Sequence, residues 1–268
     1  MNAVRLLSII LLISAVKVVN AQNMGLALEG SEWKGIHAYP VKGKNTFFKK
    51  QKLNFGDYNS IEVDRSWTKG YETTSGLTVG VPTDDFYEKI ITTDHIHKKQ
   101  TLYFAMGDHE GNQSKAFCLS ELDAQDFNIG NSDVSVFNLL LDIAGPGAKA
   151  SNIFYTKIFV GTSGEGWELL LDNEAAQAQP KKYIGYLAKN ANEYYAIAPA
   201  SKVKSKKGKV GTMPFGSAGF TIRDQDGKAV AAVSIIDNGI IYLMDVEPEE
   251  RMLLATTCAV LLLRPADL

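Results

Sequence analysis

Twelve consecutive residues near the C-terminus, Met252 to Leu263, carry no charge and include only two polar side chains, Thr256 and Thr257. A helix that is apolar on every side must be enclosed by protein or by lipid. Lipid is the poorer fit. At about 1.5 Å per residue the run is a rod of roughly 18 Å, against a hydrocarbon core of roughly 30 Å. Upstream, Glu247-Pro248-Glu249-Glu250 places proline at a first helical position and acids where the helix dipole favours them. Arg251 and Arg264 flank the run and Pro265 ends it. The sequence predicts a helix over about 248–264, buried in protein.

Something must surround that helix, and the preceding residues read as antiparallel hairpins. Asp226-Gly227 and Asn238-Gly239 are dipeptides suited to type I′ turns, which need φ > 0 at both central positions. Around them lie three short segments rich in β-branched and aromatic residues: Phe220–Arg223, Ala229–Ile236 and Ile240–Val246. They predict a three-stranded meander. A sheet that closes around an apolar helix buries it on all sides and removes its own exposed edges.

The tail from Gly219 through Val233, the strand Gly239-Ile-Ile-Tyr-Leu-Met-Asp-Val and the apolar helix together resemble the end of the tubby-like C-terminal barrel. The likeness is to its phospholipid scramblase and LURP-one-related branches and covers about the last fifty residues. That resemblance implies a mainly β fold, a closed antiparallel barrel enclosing its hydrophobic C-terminal helix. It also implies binding or scrambling of anionic phospholipid, with a calcium-binding acidic stretch beside the helix, where Glu247, Glu249 and Glu250 stand.

Further upstream, Thr46–Phe55, Ser60–Trp67, Gln100–Met106, Ser114–Leu119, Ile153–Val160, Trp167–Leu171, Lys182–Ala188 and Glu193–Ala198 continue a series of strand-like segments. Turn signals every 8–12 residues or so suit a barrel or sandwich better than alternating β and α units. Ser60–Trp67 sets Ile61, Val63 and Arg65 on one face, and Gln100–Met106 pairs with Ser114–Leu119 across Gly107–Asn112. A seam at Leu122–Ser151 contains one short helix signal, Val134–Ile143, capped by Ser132 or Asp133 and ended by Gly145-Pro146-Gly147. Residues 1–21 read as a secretory signal peptide: Arg5, an apolar stretch from Leu6 to Val16, then Val19-Asn20-Ala21 before Gln22. Residues 22–268 are then a single exported domain, periplasmic or extracellular. Losing Arg5 and Lys17 takes its formal net charge from −2 to −4, which favours no nucleic-acid partner.

Three constellations bear on function. His95 and His97 share one face of a strand and, with His109, have residue types suited to a zinc or copper ion, the basis of a metal-dependent hydrolase reading. Lys98-Lys99 and the polar turn Gly107–Asn112 argue instead for solvated loops, and no cofactor is expected. Gly161-Thr-Ser-Gly-Glu165-Gly lacks the second glycine of a nucleophile elbow, and Gly145–Ser151 lacks the ending of a phosphate loop. Cys118 and Cys258 are either a disulfide or two buried thiols, the latter preferred. Asn112-Gln113-Ser114 is a glycosylation sequon.

The third is the dense charge run Lys202, Lys204, Lys206, Lys207 and Lys209, interleaved with serine and glycine. It reads as a mobile solvated hairpin, or as a basic finger for anionic lipid head groups or acidic glycans. The leading function is an exported, non-enzymatic binding or scaffold protein that recognises its ligand on loops or outer wall. Export is checked by intact mass: the mature chain is expected to start at Gln22 without an acyl adduct, and retention of Met1 would overturn the reading.

Overall fold

The computed structural model describes residues 24–45, 51–67, 73–74, 77–82, 87–93, 96–97, 100–124, 128–129, 153–162, 164, 166–173, 176, 184–205, 207–213 and 216–264. The expected signal peptide and the expected helix at 134–143 lie outside them. Among the described residues twelve strands form the ring of the main sheet, and two short strands, Thr73–Thr74 and Ile96–His97, branch off it. The ring strands are β1 (His37–Pro40), β2 (Asn54–Phe55), β3 (Tyr58–Trp67), β4 (Gln100–Gly107), β5 (Gln113–Ala124) and β6 (Ile153–Val160). There follow β7 (Trp167–Asp172), β8 (Gly185–Asn190), β9 (Glu193–Ala200), β10 (Gly219–Arg223), β11 (Ala229–Ser234) and β12 (Ile240–Leu243).

From β2 to β12 each of these strands pairs antiparallel with the next of the twelve, and β1 pairs with β12; shorter strands outside the ring interrupt the chain between β3 and β4, β5 and β6, and β9 and β10. Lys42, just past β1, and Asn54 of β2 exchange backbone hydrogen bonds of 2.9 and 3.1 Å. That bridge links the sheet's two edges. The result is a mainly β, up-and-down antiparallel barrel, which leaves little unpaired edge.

Helix α1 (Pro248–Leu263) lies in its lumen, and all twelve residues from Met252 to Leu263 are buried. It packs on β11 and β12 and, nearly half a turn round the ring, on β4, β5 and β6. Contact with both walls is why the run carries no polar face. Its hydroxyls are satisfied within the apolar lumen: Thr256 donates to the Met252 carbonyl at 2.7 Å and meets Ser114 Oγ at 2.6 Å, while Thr257 donates to Leu253 at 2.8 Å. Ser114 of the sequon thus points inward.

Polar contacts fix both helix ends. Tyr195 donates to Glu250 and Arg251 donates to Tyr39, at 2.9 and 2.8 Å. At the far end Arg65 donates to the Leu263 carbonyl at 2.8 Å, and Arg264 bonds Asn173 and stacks over Phe220. Cations beside exposed C-terminal carbonyls match the negative end of the helix dipole.

Several local readings need correction. At Asp226-Gly227 only Gly227 has positive φ, at 77°, so the turn is not type I′. The Asp224 carboxylate accepts the amides of Asp226 and Lys228, and Gly227 N–H reaches the Asp224 carbonyl. This side-chain capping favours a longer loop. In the next hairpin positive φ falls on Asp237 and Gly239, with Asn238 between. Gly239 has a further role, since a Cβ there would stand 2.5 Å from the Leu262 side chain of the helix.

Ile61 leaves the face shared by Val63 and Arg65, because a bulge between Ser60 and Glu62 turns it outward, 58 % exposed. Of the expected strand Thr46–Phe55, residues 46–50 lie outside the described residues, and within 51–55 only Asn54–Phe55 is strand, with Asn54 bridged to Lys42.

Substituting Leu254 or Leu261 by Asp is expected to abolish soluble folding. An unpaired buried carboxylate costs several kcal/mol against a total of about 5–15. Wild-type-like melting of either variant would contradict the enclosed helix. Arg65→Met is expected to cost roughly 1–3 kcal/mol by leaving the Leu263 carbonyl without its partner, read as a lowered thermal midpoint.

Candidate functional site: a basic finger on the outer wall

With α1 filling the lumen, the features open to a partner lie outside. The chain between β9 and β10 leaves the barrel as a hairpin, strands Lys202–Lys204 and Val210–Thr212. A third short strand, Gly25–Leu26, pairs with its first arm. The sequence supports this locally: Gly208 takes positive φ at the tip, Gly208 N–H bonds the Ser205 carbonyl, and Ser205 and Lys209 close the turn at 2.9 Å. Lys202 and Lys204 therefore lie on a strand of a β-finger, with Lys207 and Lys209 in its turn.

Strand alternation sorts its side chains. Val203 and Leu26 are buried and pack with Ala229, Ala232 and Tyr242 on the barrel's outer wall. Lys202 and Lys204 project from the opposite face. Register pairs Lys204 with Val210 and Lys202 with Thr212, so Val210 stands beside Lys204 on that outer face. Lys207 and Lys209 are exposed at the turn, and Lys206 lies outside the described residues. Lys202 is partly neutralised by Glu29, at 3.0 Å.

One property of the finger is not legible in a lysine count. Five large apolar side chains are exposed among the described residues, and three lie in or next to this small sheet: Val210 at 49 %, Met24 at 40 % and Met213 at 36 %. Met24 adjoins Gly25, and Met213 N–H bonds the Ser201 carbonyl beside Lys202. The signal was the apolar content of Lys209-Val-Gly-Thr-Met213.

His97 and His109 do not converge on one site. His97 pairs with Asp123 at one end of β5, whereas His109 is exposed in the turn before Gln113 at the other. Ten residues of strand, roughly 33 Å, separate those ends. His95 lies outside the described residues, and among those described no group of three His, Cys, Asp or Glu is placed to hold a metal.

Cys118 and Cys258 are free and buried. Cys258 Sγ faces the Ala232 carbonyl of β11, whereas Cys118 sits on β5 across the lumen beside Thr156. Burial pushes the Cys118 thiol up to about 12 and raises that of Cys258, so both stay protonated at neutral pH.

Where the helix enters the barrel, a cleft of about 580 Å³ is lined by Asn112, Gln113, Thr162 and Glu249 among others. The acids of the helix's first turn are spread apart there: Glu250 takes the Tyr195 hydroxyl, Glu249 faces the cleft and Glu247 is the N-terminal capping position. No helix among the described residues is long and apolar enough to cross a membrane.

Comparison of the chain with protein-family models, with curated proteins and with solved structures finds no match.

Proposed function

We propose that this protein is an exported, non-enzymatic binding protein in which a tubby-like barrel is the scaffold and the outer finger is the recognition surface, its ligand an anionic phospholipid surface. The observation that carries the reading is the finger itself. Lys202, Lys204, Lys207 and Lys209 are exposed on one short hairpin whose other face is anchored to the barrel wall. Holding cations together in advance lowers the ordering cost of binding. The up-and-down barrel threaded by its terminal helix supports the tubby-like assignment, which rests otherwise on the Gly219–Leu263 pattern.

Charge decides between a local and a global attraction. Without residues 1–21 the chain carries a formal net charge of −4, so the molecule as a whole is repelled by an anionic surface. At physiological ionic strength exposed charges are screened beyond about 8 Å. Within that range the finger's lysines dominate, each contributing about 1 kcal/mol near an anionic membrane.

The protein is expected to sediment with phosphatidylserine-containing vesicles, to ignore neutral phosphatidylcholine vesicles and to bind less as salt rises. Alanine at Lys204, Lys207 and Lys209 together is expected to weaken partitioning by more than about a hundredfold without changing the thermal midpoint. Equal binding by wild type and triple variant would remove the finger from the function. Retention on an acidic glycan resin, with indifference to both vesicles, would reassign the ligand.

A further inference from the structure

The finger carries apolar groups as well as charge, and attraction to head groups alone gives those groups no role. Val210 is the direct cross-strand partner of Lys204 and shares its outward face, half-exposed. Met24 and Met213 flank the same small sheet, and Leu26 and Val203 already occupy its barrel-facing side. Exposed apolar side chains interleaved with lysines suit the boundary between head groups and acyl chains. Lysine stems lie along apolar surface there while their ammonium groups stay with the phosphates.

Resting on the reading above, we propose that the finger is a membrane wedge. Val210, with Met24 and Met213 at the sheet's edges, enters the acyl boundary of an anionic bilayer, while Lys204, Lys207 and Lys209 hold the phosphates around it. The barrel stays outside, since α1 is already enclosed. Two contributions then act together. Charge supplies attraction and salt sensitivity, and apolar insertion supplies sensitivity to lipid packing.

The contributions separate experimentally with phosphatidylserine–phosphatidylcholine vesicles. The double variant Val210→Gln, Met213→Gln keeps every lysine. It is expected to lose about tenfold in partitioning, with its salt dependence unchanged. Loosely packed, highly curved vesicles are expected to bind wild type more tightly than flat ones and to lose that preference with the double variant. In a second measurement, the indole fluorescence introduced by Val210→Trp is expected to shift to shorter wavelength on binding and to be quenched by shallow brominated lipid.

Equal partitioning of the double variant and wild type, or an introduced indole whose emission does not move on binding, would overturn the wedge while leaving electrostatic binding intact. Wild type that ignores anionic vesicles would overturn both.

Discussion

Enclosure of α1 is the constraint on which the rest of this structure depends. Twelve buried residues in sequence, Met252 to Leu263, cannot be covered by a flat sheet, which reaches one side of a helix only. A ring of strands reaches all sides, and this ring is the simplest available, each strand from β2 onward pairing with the next of the twelve. The helix and the barrel are therefore one cooperative unit: without the helix the lumen is a large apolar void, and without the closed wall the helix faces water.

Filling the lumen has a consequence for function. Many barrels hold ligands inside, but here the interior is packed by Leu254, Leu261, Phe104, Phe154 and their neighbours. Recognition moves to the connections between strands, where the scaffold's rigidity can still be used. The β9–β10 connection uses it directly. Its hairpin pairs with Gly25–Leu26 and lays Val203 and Leu26 on the barrel wall, leaving lysines and Val210 facing outward.

Much of the architecture was legible in the sequence because it depends on local pattern. The terminal helix follows from an uncharged run with proline at its start, and the last three strands from short segments rich in β-branched and aromatic residues between turn residues. The β4–β5 pair was readable for the same reason, with Asp108 taking the amides of Glu110 and Asn112 at its turn. Misreadings arose where one side chain overrode a dipeptide preference, as Asp224 does beside Asp226-Gly227, or where a bulge reversed the alternation, as at Ile61.

By itself, then, the sequence determined that an apolar helix must be enclosed by hairpins and that five lysines lie close together along the chain. Both are properties of neighbours in sequence. Only the tertiary structure decided which distant residues meet. Register puts Val210 beside Lys204, and barrel closure brings Lys42 to Asn54 and Arg65 to the last helical carbonyl. The same register sets His97 and His109 at opposite ends of β5. These outcomes depend on strand pairing, where a shift of one residue turns every side chain to the other face. Composition and spacing along one strand do not encode that choice; the packing of all strands around the helix does.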